Sequence, residues 1–318
     1  MTEPAILVNG LVHAFAGRTA LGGVSFTVPE RTIHGFVGPN GAGKTTSLRV
    51  IATLLEPDGG LVRVCGEDAI TQPARVRKLI GWMPDHVAGY RRMAVGEYLD
   101  FFAAAYGLDS ARRARVVGEV LELTDMAGRR SDMLAGLSRG MQQRVALARV
   151  LVHDPAVLLL DEPASGLDPR ARMELMGILR ELRGMGKTVF ISSHILSELA
   201  DICDGVTVVD RGRVRYSGAL DGLLRTTAAA GGEALELVLA APLPGLATTL
   251  AAVPGVSAAT EAEGQAQRLT VSYDPAACEP AAILAAALAA GARPVEIHPA
   301  RRRLDEAFLA LTTPGVAS

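Results

Sequence analysis

Lysine is almost missing from this chain of 318 residues: Lys44, Lys78 and Lys187 are the only three, and 29 of the 32 basic residues are arginine. Aromatics are scarce too, at 4%, although hydrophobic residues reach 49%. That apolar share can fill a core, which excludes wholesale disorder. With a net charge of −2 the broad basic footprint of a nucleic-acid binder is lacking, and no nucleic-acid partner is expected. Cys65, Cys203 and Cys278 lie too far apart for zinc-ligand pairs and read as small buried residues of a reducing compartment. His13, His34, His86, His153 and His298 form no metal-like cluster. No basic-then-apolar leader opens the chain. The longest apolar runs, 156–160 and 281–290, fall far short of the ~20 residues a spanning helix needs, so a soluble protein is expected.

What is present has the order of an α/β chain followed by a second domain. Runs at 33–37, 157–160, 188–192 and 206–209 are apolar without alternation and read as central parallel strands covered on both faces. Between about 84 and 154 the pattern turns helical, clearest at 96–106 and 110–123, which predicts a helical insert. At 223–232 the periodicity is lost, which marks a linker. The tail, 233–318, reads β-α-β-β-α-β, a ferredoxin-like order, with a short helix at 304–311. The expected domains are therefore 1–222 and 233–318, the second a small α+β accessory domain.

Two segments carry chemistry. Gly38-Pro-Asn-Gly-Ala-Gly-Lys-Thr45 fits the pattern G-x-x-x-x-G-K-[ST] and stands between an apolar strand and a helical stretch, the context that a phosphate-binding loop requires. The stretch from Gly38 through Pro39, Asn40, Gly41, Ala42, Gly43, Lys44, Thr45 and Thr46 is the expected nucleotide contact. Its amides and the helix start face phosphate oxygens, Lys44 pairs with the β- and γ-phosphates, and the Thr45 hydroxyl ligates Mg²⁺. Val157-Leu-Leu-Leu-Asp161-Glu162 is a buried strand ending in two carboxylates, where open α/β sheets gather their catalytic groups. Asp161 is expected to hold Mg²⁺, partly through water, and Glu162 to polarise the attacking water.

Four further pieces stand in the order and spacing of ATP-binding-cassette (ABC) ATPases. Leu137-Ser-Arg-Gly-Met-Gln-Gln-Arg144 resembles the family's signature helix, and Ser165-Gly-Leu-Asp168 resembles its D-loop. His194, after Val189-Phe-Ile-Ser-Ser, resembles the switch histidine, and Phe15 stands where the family stacks an aromatic on adenine. The resemblance spans about residues 5–220 and implies a P-loop NTPase fold, ATP hydrolysis with Mg²⁺, and a head-to-tail homodimer. In that dimer Ser138, Arg139, Gly140 and Met141 meet the nucleotide of the other copy. Glu162, His194 and Lys44 are the implied catalytic residues.

Two positions depart from the pattern. Asp85 occupies the place where the family usually carries glutamine, so it is a possible Mg²⁺ contact or, alternatively, a solvated loop acid. The signature has Arg139 and Met141 where Leu-Ser-Gly-Gly-Gln is commoner. This variant and the tail resemble ABC-2-type exporters, including the daunorubicin-resistance group. The resemblance implies a peripheral subunit on the cytoplasmic face of the membrane, driving a separately encoded permease for a drug, lipid or other small molecule. The alternative is a non-transport ATPase acting as an ATP-gated switch on soluble partners.

Overall fold

A computed structural model describes residues 3–85, 92–196, 199, 201–220, 222–223, 233–262 and 265–299. Contacts divide the chain into two units, Met1–Leu220 and Asp221–Ser318.

The first unit opens with β1 (Ile6–Phe15), β2 (Arg18–Val28), β3 (Ile33–Val37), α1 (Lys44–Ile51), β4 (Gly59–Val64) and β5 (Glu67–Asp68). It continues through α2 (Pro73–Leu79), β6 (Ile80–Met83), α3 (Val95–Ala105), α4 (Ser110–Leu123) and α5 (Arg139–Leu151). It closes with β7 (Val157–Leu160), α6 (Pro169–Gly184), β8 (Thr188–Ser193), β9 (Gly205–Asp210) and β10 (Arg213–Ala219). Strands β3, β7, β8 and β9 are buried at every position, as their lack of alternation predicts. They lie in a six-stranded sheet of order β10-β9-β3-β8-β7-β6, parallel except for the edge pair β9–β10.

A second, antiparallel sheet, β2-β1-β4-β5, is built from strands that bury one face only. Its apolar side, with Leu21, Val24 and Phe26, shares one core with Leu48 and Ile51 of α1 and with Phe36 and Phe190 of the larger sheet. The Phe26 ring lies 5.3 Å from that of Phe36 and 5.4 Å from that of Phe190. Helix α1 is thereby held between the sheets, which fixes the loop that precedes it.

The helical insert is tied to the edge strand β6 by two residues one turn apart on and just beyond α5. Arg149 donates to the Trp82 carbonyl at 2.9 Å and lies 5.3 Å from the Phe102 ring centre. His153 bonds the Ile80 carbonyl through Nε2 at 2.8 Å and stacks on Tyr106 at 3.9 Å. An edge strand leaves every second carbonyl without a ladder partner, and these two side chains satisfy them.

The second unit comprises β11 (Glu233–Leu239), α7 (Leu246–Ala251), β12 (Val256–Ala262), β13 (Gln265–Tyr273), α8 (Pro280–Ala289) and β14 (Pro294–Pro299). Its sheet, in the order β12-β13-β11-β14, is antiparallel throughout, the connectivity of a split β-α-β fold. Leu235, Leu237, Leu250, Val271 and Ile283 form its own core. Residues 224–232 of the expected linker, His86 and the helix expected at 304–311 lie outside the described residues. Among the described residues no helix is long and apolar enough to cross a membrane.

Candidate active site

The phosphate loop leaves β3 and enters α1 through Gly43, at φ 105°. A Cβ on Gly43 would fall 2.8 Å from a Leu21 methyl carbon, and one on Gly38 would fall 2.3 Å from the Val209 carbonyl oxygen. The loop is therefore pressed against β2 and β9 with no room for side chains at either position. No side chain caps α1 and no acid stands in its first turn, so the positive end of its dipole is open to an anion.

Lys44 is buried and its Nζ donates to the Gly38 carbonyl at 2.7 Å and to Pro39 at 3.4 Å. The same Nζ lies 3.4 Å from Glu162 Oε1, while Glu162 Oε2 is 2.7 Å from His194 Nδ1. Three charged or titratable side chains from the ends of β7 and β8 and the start of α1 thus form one chain, Lys44–Glu162–His194. Glu162 itself has φ 50°, a conformation that costs a non-glycine residue of order 1–2 kcal/mol and aims its side chain into the cleft.

Asp161 lies behind this chain and is only 2% exposed. Burial pushes its carboxyl up from the usual carboxylate range, opposed by hydrogen bonds from Ser192 and Thr45 and reinforced by Glu162 and Asp85. Ser192 Oγ donates to Asp161 at 2.7 Å and accepts from the Glu162 amide at 2.9 Å. A buried carboxylate beside a threonine hydroxyl and two more acids is a hard-oxygen environment with excess negative charge, which suits Mg²⁺. Among the described residues no group of three His, Cys, Asp or Glu side chains is placed to hold a metal alone.

A cleft of about 750 Å³ gathers Phe15, Asn40, Gly41, Gly43, Lys44, Thr45, Thr46, Asp85, Glu162 and His194. Phe15 is half exposed at its rim, with His13 edge-on against it at 4.5 Å. Gly38, Pro39, Ala42 and Asp161, also expected at the site, do not line the cleft. Ser165, the first residue of the expected D-loop, also lines it, as do Arg18 and Arg211, which belong to no motif read from the sequence. Arg211 arrives because the β9–β10 turn is bonded to the phosphate loop, Gly212 N to the Ala42 carbonyl at 2.9 Å.

Ser138, Gly140, Met141 and Asp168 are not in this cleft. They line a separate hollow of about 500 Å³ that shares no residue with it. Ser138 caps α5 by accepting from the Met141 amide at 3.3 Å, and Asp168 caps α6 by accepting from the Ala171 amide at 2.9 Å.

Residues 21–165 match the ABC transporter family model. The daunorubicin resistance ATP-binding protein DrrA3 of Streptomyces coeruleorubidus is 36% identical over 98% of this chain and 97% of its own length. This chain belongs to the ABC transporter ATP-binding family. The ATP-binding protein NatA of Bacillus subtilis (strain 168) is 41% identical over 63% of the chain and 82% of its own length. The Nod factor export ATP-binding protein I of Burkholderia lata is 36% identical over 67% and 70%. A solved structure of the ATP binding subunit of an ABC transporter covers 70% of the chain with a TM-score of 0.64 at 30% identity. The chain is accordingly an ATP-binding, ATP-hydrolysing cassette, and its near full-length relatives fit the ABC-2-type exporter branch.

Proposed function

We propose that this protein hydrolyses ATP as a head-to-tail homodimer on the cytoplasmic face of a membrane and drives export of a drug, lipid or other small molecule through a separately encoded permease. The observation that carries the reading is the chain Lys44–Glu162–His194, set against the phosphate loop in a cleft with Phe15 at its rim. In this account Phe15 stacks on adenine, and the loop from Gly38 to Thr46 wraps the phosphates. Lys44 leaves Glu162 for the β- and γ-phosphates, which frees the Glu162 carboxylate to take a proton from the attacking water, a role worth ~10²–10⁴-fold. His194 holds Glu162 from its other oxygen. Thr45 and Asp161 would hold Mg²⁺, with the Asp85 charge, which is felt at Asp161, as a further contact; when bound the ion would supply positive charge to the phosphates.

The separation of the signature hollow from the cleft supports the dimer. Ser138 and Gly140 meet a nucleotide only if it is held by another copy, and Asp168 comes with them. Domain roles follow in the same way: 1–222 is the ATPase with its insert at about 84–154, and 233–318 is an accessory domain after the linker. The names of the relatives, daunorubicin resistance and Nod factor export, support export as the coupled work. The test is a mild-detergent pull-down of the tagged protein from its own cells, with mass spectrometry. A stoichiometric multi-span membrane protein is expected; recovery of soluble partners alone would replace export by an ATP-gated switch.

A further inference from the structure

We propose that Arg139 is a positioning residue that fastens the start of α5, with Ser138 and Gly140, to the loop between Glu162 and Asp168 of the same chain. The inference rests on the ATPase reading above. Gly166, in the middle of that loop, has φ +67°, and a Cβ built there would fall 2.4 Å from Arg139 Nη1, 2.6 Å from Cζ and 2.9 Å from Nη2. Such distances to all three atoms mean that the planar guanidinium lies across the bare Cα of Gly166. One residue further on, a Cβ on Gly140 would come within 2.9 Å of the Ala171 Cβ, so the starts of α5 and α6 abut. Arg139 lines neither the nucleotide cleft nor the signature hollow.

The loop it covers is short and bonded within itself. Ser165 N donates to the Glu162 carbonyl at 3.0 Å and Leu167 N to the Ala164 carbonyl at 3.2 Å, before Asp168 caps α6. A displacement of Gly166 is therefore passed within four residues to Glu162, whose backbone already sits in the left-handed region. Movement of the signature onto a nucleotide carries the loop with it and sets the aim of the carboxylate in the chain's own cleft. A glycine at 139, the commoner residue in such signatures, has no side chain to make this link.

The experiment is a double-mutant cycle on the full chain: parent, Arg139→Gly, Gly166→Ala and the double variant, each assayed for kcat and KM with Mg-ATP. Alanine at Gly166 strains the backbone equally in both backgrounds, so that cost cancels in the cycle and the contact remains. Each single change is expected to lower kcat with KM for ATP unchanged. The double variant is expected to be no slower than Gly166→Ala, a departure from the product of the single effects of about threefold or more. Arg139→Lys should behave as Arg139→Gly, because an ammonium has no plane to lay on the glycine. Multiplicative effects, a KM that rises with the loss of kcat, or full activity in Arg139→Lys would each overturn the inference. An inactive parent would overturn the ATPase reading with it, whereas an active parent with multiplicative effects overturns this inference alone.

Discussion

Ser192 donates to Asp161 and accepts from the Glu162 amide, so a single hydroxyl fixes both the carboxylate assigned to Mg²⁺ and the backbone of the proposed base. No motif contains it. The two acids were legible as the end of an apolar strand, and Lys44 as the one lysine in a glycine-rich loop. A serine in Phe-Ile-Ser-Ser is ordinary until β7 and β8 are paired in parallel with Leu160 opposite Ile191, so that Asp161, just past β7, comes beside Ser192 of β8. Arg18 and Arg211 escaped for the same reason: turns of distant strands bring them to the cleft, and spacing along the chain carries no trace of it. Ser192→Ala should lower kcat by about 10-fold to 100-fold, as loss of a group that orients a metal ligand does, while the protein stays folded. Steady-state ATPase assays with a thermal-unfolding control check this; wild-type kcat would dismiss the role.

Elements were more legible than contacts. Strands β3, β7, β8 and β9 and helices α3 and α4 stand within a residue or two of the positions read from apolar runs and helical periodicity, because burial on both faces removes alternation and leaves a plain signal. The antiparallel sheet of β1, β2, β4 and β5 was not legible as a separate layer, since its pairings join segments tens of residues apart. Burial in β3 has a measurable consequence. His34 is 2% exposed, with Nε2 2.9 Å from Thr207 Oγ1, and burial lowers its pKa to about 4 against the opposing charge of Asp204. The unfolded chain takes up this proton near 6.5 and the folded chain only near 4, so between those values the unfolded state holds the extra proton. Stability is therefore lost as pH falls through that window, by about 3 kcal/mol at most for this group. In His34→Gln the slope of unfolding free energy against pH should flatten between 6.5 and 4. Denaturant titrations across that range decide it, and parallel slopes for parent and variant would show that His34 is not the group responsible.

At the scale of the molecule, one chain offers a nucleotide cleft and a signature hollow that share no residue. The ABC family was readable from six motifs in order, and the tail's β-α-β-β-α-β order was readable from its succession of segments. Which hollow faces which cleft is a property of two chains and lies beyond any single sequence. The central claim is that ATP joins two copies across these surfaces and that Glu162 ends the joined state by hydrolysis. Glu162→Gln keeps the size of the side chain and one acceptor oxygen but removes the charge and the base. Sedimentation velocity of that variant is the most direct test. With Mg-ATP it should run as a dimer and without nucleotide as a monomer; a monomer at saturating Mg-ATP, with nucleotide bound, would contradict the account.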